Sequence, residues 1–118
     1  MGAPLSYQAI EDQVRACLQR METLTDQFAT AVDEQAEAEV AYKVAVAKAR
    51  LDFRHERIGQ KVTDQMTDDN ATLVTEDQRR RHLIANAQFE STKNACFVAR
   101  DRLGALRSLM KAYTEAGG

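Results

Sequence analysis

The sequence predicts an all-α protein: a long antiparallel helical hairpin with a polar elbow, coiled-coil-like and oligomeric. Three observations carry this. Among 118 residues there are one proline and five glycines, and only Gly59 and Gly104 lie away from the ends. Sandwiches, barrels and doubly wound sheets need many more turns. Hydrophobic residues make up 44% with a net charge of only −2, which also disfavours disorder. Finally, apolar residues recur at alternating steps of three and four over most of the chain, the signature of helices packed along a seam.

The first helix is expected over residues 7–58, capped by Ser6. Its stripe runs Tyr7, Ile10, Val14, Cys17, Met21, Leu24, Phe28, Ala31, Gln35, Ala38, Tyr42, Ala45 and Ala49. The side chains are bulky up to Phe28 and mostly alanine afterwards, so the partner helix must approach more closely there. Gly59 is the expected stop. The elbow is expected over 59–75, with Asp64, Asp68, Asp69 and Asn70. Within it, Thr63 is placed to start one or two helical turns. Thr75 and Gln78 have capping-box spacing, so the second long helix is expected over 76–115. Its seam runs His82, Ala85, Phe89, Thr92, Cys96, Ala99, Leu103, Leu106, Met110 and Tyr113, flanked by Ile84, Val98 and Leu109. The whole is read as one hairpin domain.

A single hairpin buries little, and its seams look wider than one partner would cover. A homo-oligomer with closed symmetry is therefore expected. Ile10, Val14, Leu24, Phe28, Leu103, Leu106 and Met110 are the expected interface. With the elbow at 59–75, Cys17 and Cys96 should lie tens of ångströms apart along the axis, at about 1.5 Å per residue. Two free thiols are expected.

Charge is segregated along the chain. Net charge is −6 over residues 1–42, +4 over 43–61, −5 over 62–78 and +5 over 79–118. An antiparallel fold should bring Lys48, Arg50, Arg54, Arg57 and Lys61 toward Arg79, Arg80 and Arg81. That basic elbow is the candidate contact for a nucleic-acid backbone. The alternative is that acidic 1–42 and basic 79–118 are complementary coiled-coil flanks. Three arginines in a first helical turn oppose the macrodipole. They call for an anionic neighbour, either the Asp64–Asp77 segment or a phosphate.

Catalytic chemistry has no visible carrier. His55 and His82 lack metal-ligand spacing, and no nucleotide-binding or nucleophile motif occurs. The chain is therefore expected to be no enzyme and to need no cofactor or metal. The apolar start, Met1 to Leu5, is too short for a signal peptide, and no run is long enough to span a membrane. No membrane association is expected, and the expected location is the cytoplasm, that of the host if the chain is phage-encoded.

The string Lys48-Ala49-Arg50-Leu51-Asp52-Phe53 resembles the core motif of the UvsY family, the recombination mediators of T-even phages. The layout of long helix, polar elbow and second helix is similar too. The resemblance implies a helical, ring-forming oligomer that binds single-stranded DNA. It implies partners as well: a RecA-like recombinase and the single-strand-binding protein it displaces. Lys48 and Arg50 match the motif positions associated with DNA contact. Phe53 stands beside them and is read first as a core residue, second as a base-stacking one. The competing class is a structural or adaptor coiled coil, in virion assembly or host-protein binding, without a nucleic-acid role.

Overall fold

The computed structural model describes residues 6–117, and these are helical apart from two short breaks. Helix α1 runs Tyr7–His55, α2 runs Asp64–Val74 and α3 runs Glu76–Gly117. No strand occurs among the described residues. The contacts divide the chain into two units. One joins the residues up to Thr30 with those from Glu90 onward, and the other is Ala31–Phe89.

In the first unit the start of α1 lies antiparallel to the end of α3. Ser6 caps α1 as expected: its Oγ accepts the Ala9 N–H at 3.1 Å, and its carbonyl accepts that of Ile10. Ile10, Cys17, Leu103 and Leu106 are buried together, with Val14, Met21 and Met110 packed against them. The Tyr7 and Tyr113 rings meet at 6.3 Å. The Cys17 thiol donates to the Ala99 carbonyl at 3.3 Å, and the Cys96 thiol donates to that of Leu24 at 3.7 Å.

Those two bonds correct the expected cysteine spacing. Cys96 lies beside Leu24, seven residues from Cys17, so the thiols are about 10 Å apart along the helix rather than tens of ångströms. Both are free, and that offset keeps them outside disulfide reach.

In the second unit the chain reverses early. Helix α1 ends at His55, not at residue 58, and a turn follows in which Gln60 donates to the Arg57 carbonyl. Gly59 sits at φ +86°, a conformation glycine alone adopts without strain. Thr63 then caps α2, its side chain accepting the Met66 N–H at 3.1 Å. The segment expected to be an elbow is thus mostly an 11-residue helix lying back along α1.

The expected capping box at Thr75 does not form. Thr75 is 3% exposed, and its hydroxyl donates to the Ala71 carbonyl at 2.6 Å instead of capping α3. Gln78 Oε1 is buried without a partner. Thr75 takes φ −108° and ψ 18°, while its carbonyl already accepts the Arg79 N–H. One residue therefore separates α2 from α3. Along this arm Thr67, Ala71, Thr75 and Ala85 are buried, against Ala31, Ala49 and Phe53 of α1 as the unit's other buried side chains. Thr67 also donates to its own helix, at the Thr63 carbonyl. Self-bonded threonines act in this seam as small, nearly apolar side chains.

Four of the residues expected between copies are spent within the chain. Ile10, Leu24, Leu103 and Leu106 are at most 5% exposed, so a second copy cannot reach them while the hairpin is closed. Val14, Phe28 and Met110 are half-buried in the same seam. The large apolar side chains left in solvent are different ones, among them Val40, Val44, Leu51, Leu73 and Ile84.

Two outcomes test this description. Leu24→Asp should destabilise the hairpin by about 3 kcal/mol or more, because it loses burial and leaves an unpaired charge in the seam. The readout is urea unfolding followed by circular dichroism, with Val98→Asp, at a side chain 67% exposed, as a near-neutral control. Gly59→Ala should cost about 1 kcal/mol, all of it from the backbone, since no atom lies within 4 Å of the added Cβ.

Candidate nucleic-acid interface

The six-residue string lies in the last turns of α1, and helical spacing sorts its side chains. Ala49 and Phe53, four apart, face the seam at 8% and 7% exposure. Lys48, Arg50, Leu51 and Asp52 face outward, with Leu51 at 69%. Lys48 and Arg50 flank Ala49 on opposite sides of the helix.

Arg50, Arg54 and Arg57 follow one another at steps of four and three, so they form a single edge of α1. That edge meets α2. Arg50 Nη2 lies 3.0 Å from Asp68 Oδ1, and Arg54 Nη2 lies 2.7 Å from Asp64 Oδ1. Arg57 folds over Phe53, its guanidinium carbon 3.8 Å from the ring centroid, and donates to the Phe53 carbonyl. It also lies 3.6 Å from Glu56. Phe53 is therefore a core residue whose ring is capped by an arginine, not a free stacking platform.

The expected union of two basic clusters does not occur. Asp64 and Asp68 occupy the flank of α1 that Arg79, Arg80 and Arg81 were expected to approach. Arg81 instead borders a shallow groove with Glu34, Glu37 and Gln78. Arg80 pairs with Glu76 at 3.0 Å on its own helix. The physical reason is the early reversal at Gly59, which sets α2 beside the basic end of α1 and the start of α3 beside its acidic middle. Of these three arginines only Arg80 has a carboxylate of the chain within ion-pair distance among the described residues. Lys48, Lys61, Arg79 and Arg81 make no ion pair among the described residues.

Next to this edge lies a polar layer. Tyr42 stacks on His82 with centroids 5.7 Å apart and planes at 29°. Asn86 Nδ2 lies 3.4 Å from His82 Nε2, while Asn86 Oδ1 accepts from Gln35 at 2.9 Å. His82 is thus a hydrogen-bonded seam residue, and His55 is exposed. On the neighbouring face Lys43 bonds Glu39 at 2.9 Å. That hydrogen bond and the ammonium charge hold the Glu39 carboxyl below the usual range.

The residue-by-residue reading missed Asp64 and Asp68 as partners of Arg54 and Arg50. The signal was present: each acid is one turn from the next, as the arginines are, and the two rows have opposite order along the chain. Among the described residues no group of acids, histidines and cysteines could hold a metal ion, and no helix is long and apolar enough to cross a membrane. Comparison with family models, with curated proteins and with solved structures finds no match.

Exposed ion pairs contribute little to stability, typically under about 1 kcal/mol each. The double change Asp64→Asn and Asp68→Asn should therefore shift the unfolding free energy by less than about 1 kcal/mol per pair. Thermal unfolding at low and high salt should show a small loss that salt itself abolishes.

Proposed function

We propose that this chain binds the backbone of single-stranded DNA along the basic end of α1 and acts as a recombination mediator. In this reading it works as a homo-oligomer that helps a RecA-like recombinase replace a single-strand-binding protein. The observation that supports it is the presentation of the Lys48–Phe53 string. Ala49 and Phe53 of the string are held in the seam, and Lys48 and Arg50 are held outward at the helix surface. Lys48, Lys61, Arg79 and Arg81 add cations without an ion pair among the described residues. Binding of this kind is electrostatic and nearly independent of sequence, because no free aromatic accompanies the cations.

A second reading has its own support. Arg50–Asp68 and Arg54–Asp64 are close enough to make the basic segment a device for aligning the hairpin. The chain would then be a structural or adaptor coiled coil without a nucleic-acid role.

Fluorescence anisotropy with a labelled oligonucleotide at several salt concentrations separates the two. A subunit with about four phosphate contacts should give a log–log salt slope near −3. Lys48→Ala with Arg50→Ala should weaken binding to all sequences and flatten the slope, with helicity unchanged. Lys43→Ala and Lys111→Ala, each of which already faces a glutamate, serve as controls. The Asp64→Asn, Asp68→Asn protein should bind more tightly, since two arginines are released to the phosphates. Absence of wild-type binding at low salt leaves the adaptor reading in possession.

A further inference from the structure

In the second unit α1 is apolar on two opposite faces. One face is the seam, through Ala31, Ala49 and Phe53. The other carries Val32, Ala36, Val40, Val44, Ala47 and Leu51, at steps of four, four, four, three and four. These six fall within an arc of about 120°, centred roughly opposite the seam and shared with Asp33, Lys43 and Arg50. All six are exposed, Val40 and Val44 at 60% and Leu51 at 69%. A helix buried on one side only has a polar outer face. This one has the pattern of a helix flanked by two partners, of which the chain supplies one.

The charges say what the second partner is. Between residues 33 and 39 α1 carries Asp33, Glu34, Glu37 and Glu39 and no base. From Lys43 to Arg57 bases outnumber acids, five to two. The sign changes between Glu39 and Lys43, at Ala41. The apolar stripe from Val32 to Leu51 has its midpoint between Ala41 and Tyr42. Stripe and charge boundary thus share one centre, and a segment with that symmetry is complementary to itself in the antiparallel sense.

We propose that this outer face of α1 is the interface with a second copy of the chain, paired antiparallel about a two-fold axis near Ala41. In that register Val32 faces Leu51 of the second copy, Ala36 faces Ala47, and Val40 lies within one residue of level with Val44. Lys48 falls beside Glu37 and Asp33 of the second copy, twice by symmetry. None of these three side chains has an ion pair among the described residues of its own chain. A parallel pairing would set Lys48 against Lys48 and the four acids against one another. The proposal needs no nucleic acid. It assigns Lys48 to the protein interface, so it competes with DNA contact there, while Arg50, five helical turns from Val32 and so on the stripe's other edge, is paired with Asp68 of its own chain.

Disulfide trapping in the absence of DNA tests the arrangement directly. Ala36→Cys and Ala47→Cys proteins, mixed and oxidised, should form linked dimers at least about tenfold faster than either alone, because like positions lie about 16 Å apart along the axis. Equal or faster linking of either variant with itself, or no linking in the mixture, overturns the proposal. Sedimentation velocity of the wild-type chain at rising concentration should approach twice the chain mass. Val44→Glu should remain monomeric with unchanged helicity, since Val44 takes no part in the hairpin seam. A wild-type monomer at about 100 µM, a range where even weak specific contacts form, or an oligomer that Val44→Glu leaves intact, overturns it as well. Failure here with DNA binding retained leaves the nucleic-acid reading standing. Absence of wild-type DNA binding at low salt with trapping retained does the opposite.

Discussion

In each unit α1 has one neighbour, the returning arm, so each unit depends on the seam of side chains between the two. In the second unit that seam is built from Ala31, Ala49, Ala71, Ala85, Thr67 and Thr75 rather than from leucines. Small side chains give less transfer free energy each, but they bring the helix edges close. Close edges are what set Arg50 and Arg54 within reach of Asp68 and Asp64. In the first unit the same job falls to Ile10, Leu24, Leu103 and Leu106, and burial rather than close approach supplies the cohesion.

The α1 seam was readable residue by residue because its period of three and four is carried by apolar types. The caps at Ser6 and Thr63 and the turn glycine at Gly59 were readable because their chemistry is local, although α1 stops four residues earlier, at His55. Helix α2 was not, and the reason is specific. Its buried positions are Thr67, Ala71 and Thr75, two of them hydroxyl-bearing, so a hydropathy pattern registers a polar linker. The threonines satisfy their hydroxyls on their own helix, which no spacing rule reveals. Taking that segment for an elbow moved the point of reversal, and two further expectations moved with it. One was the axial offset of the cysteines. The other was the merging of the basic clusters, which α2 prevents.

The candidate site was legible as composition and not as geometry. The basic residues at 48–61 and 79–81 are where the charge tally put them. Whether they add or cancel depends on which carboxylates lie between, and that depends on the turn. Charge order along α1, acidic then basic, runs against charge order along the returning arm, acidic at Asp64–Asp77 then basic at Arg79–Arg81. Antiparallel pairing sets unlike against unlike over the whole unit. An incoming polyanion therefore meets a surface where some cations are held by carboxylates and others, Lys48 and Lys61 among them, are not.

Gln35 and Asn86 interrupt a seam that is otherwise small and nearly uniform. Alanine meets alanine equally well if one arm slides along the other by a heptad, so such a seam has almost no memory of its alignment. A single polar pair restores it, at some expense of stability. Sliding one way would set Gln35 against Arg79, and sliding the other would set Asn86 against Tyr42. With the Tyr42–His82 stack and the two Arg–Asp pairs, the 2.9 Å bond between the two amides is thus a point at which this hairpin distinguishes its own alignment from its near duplicates.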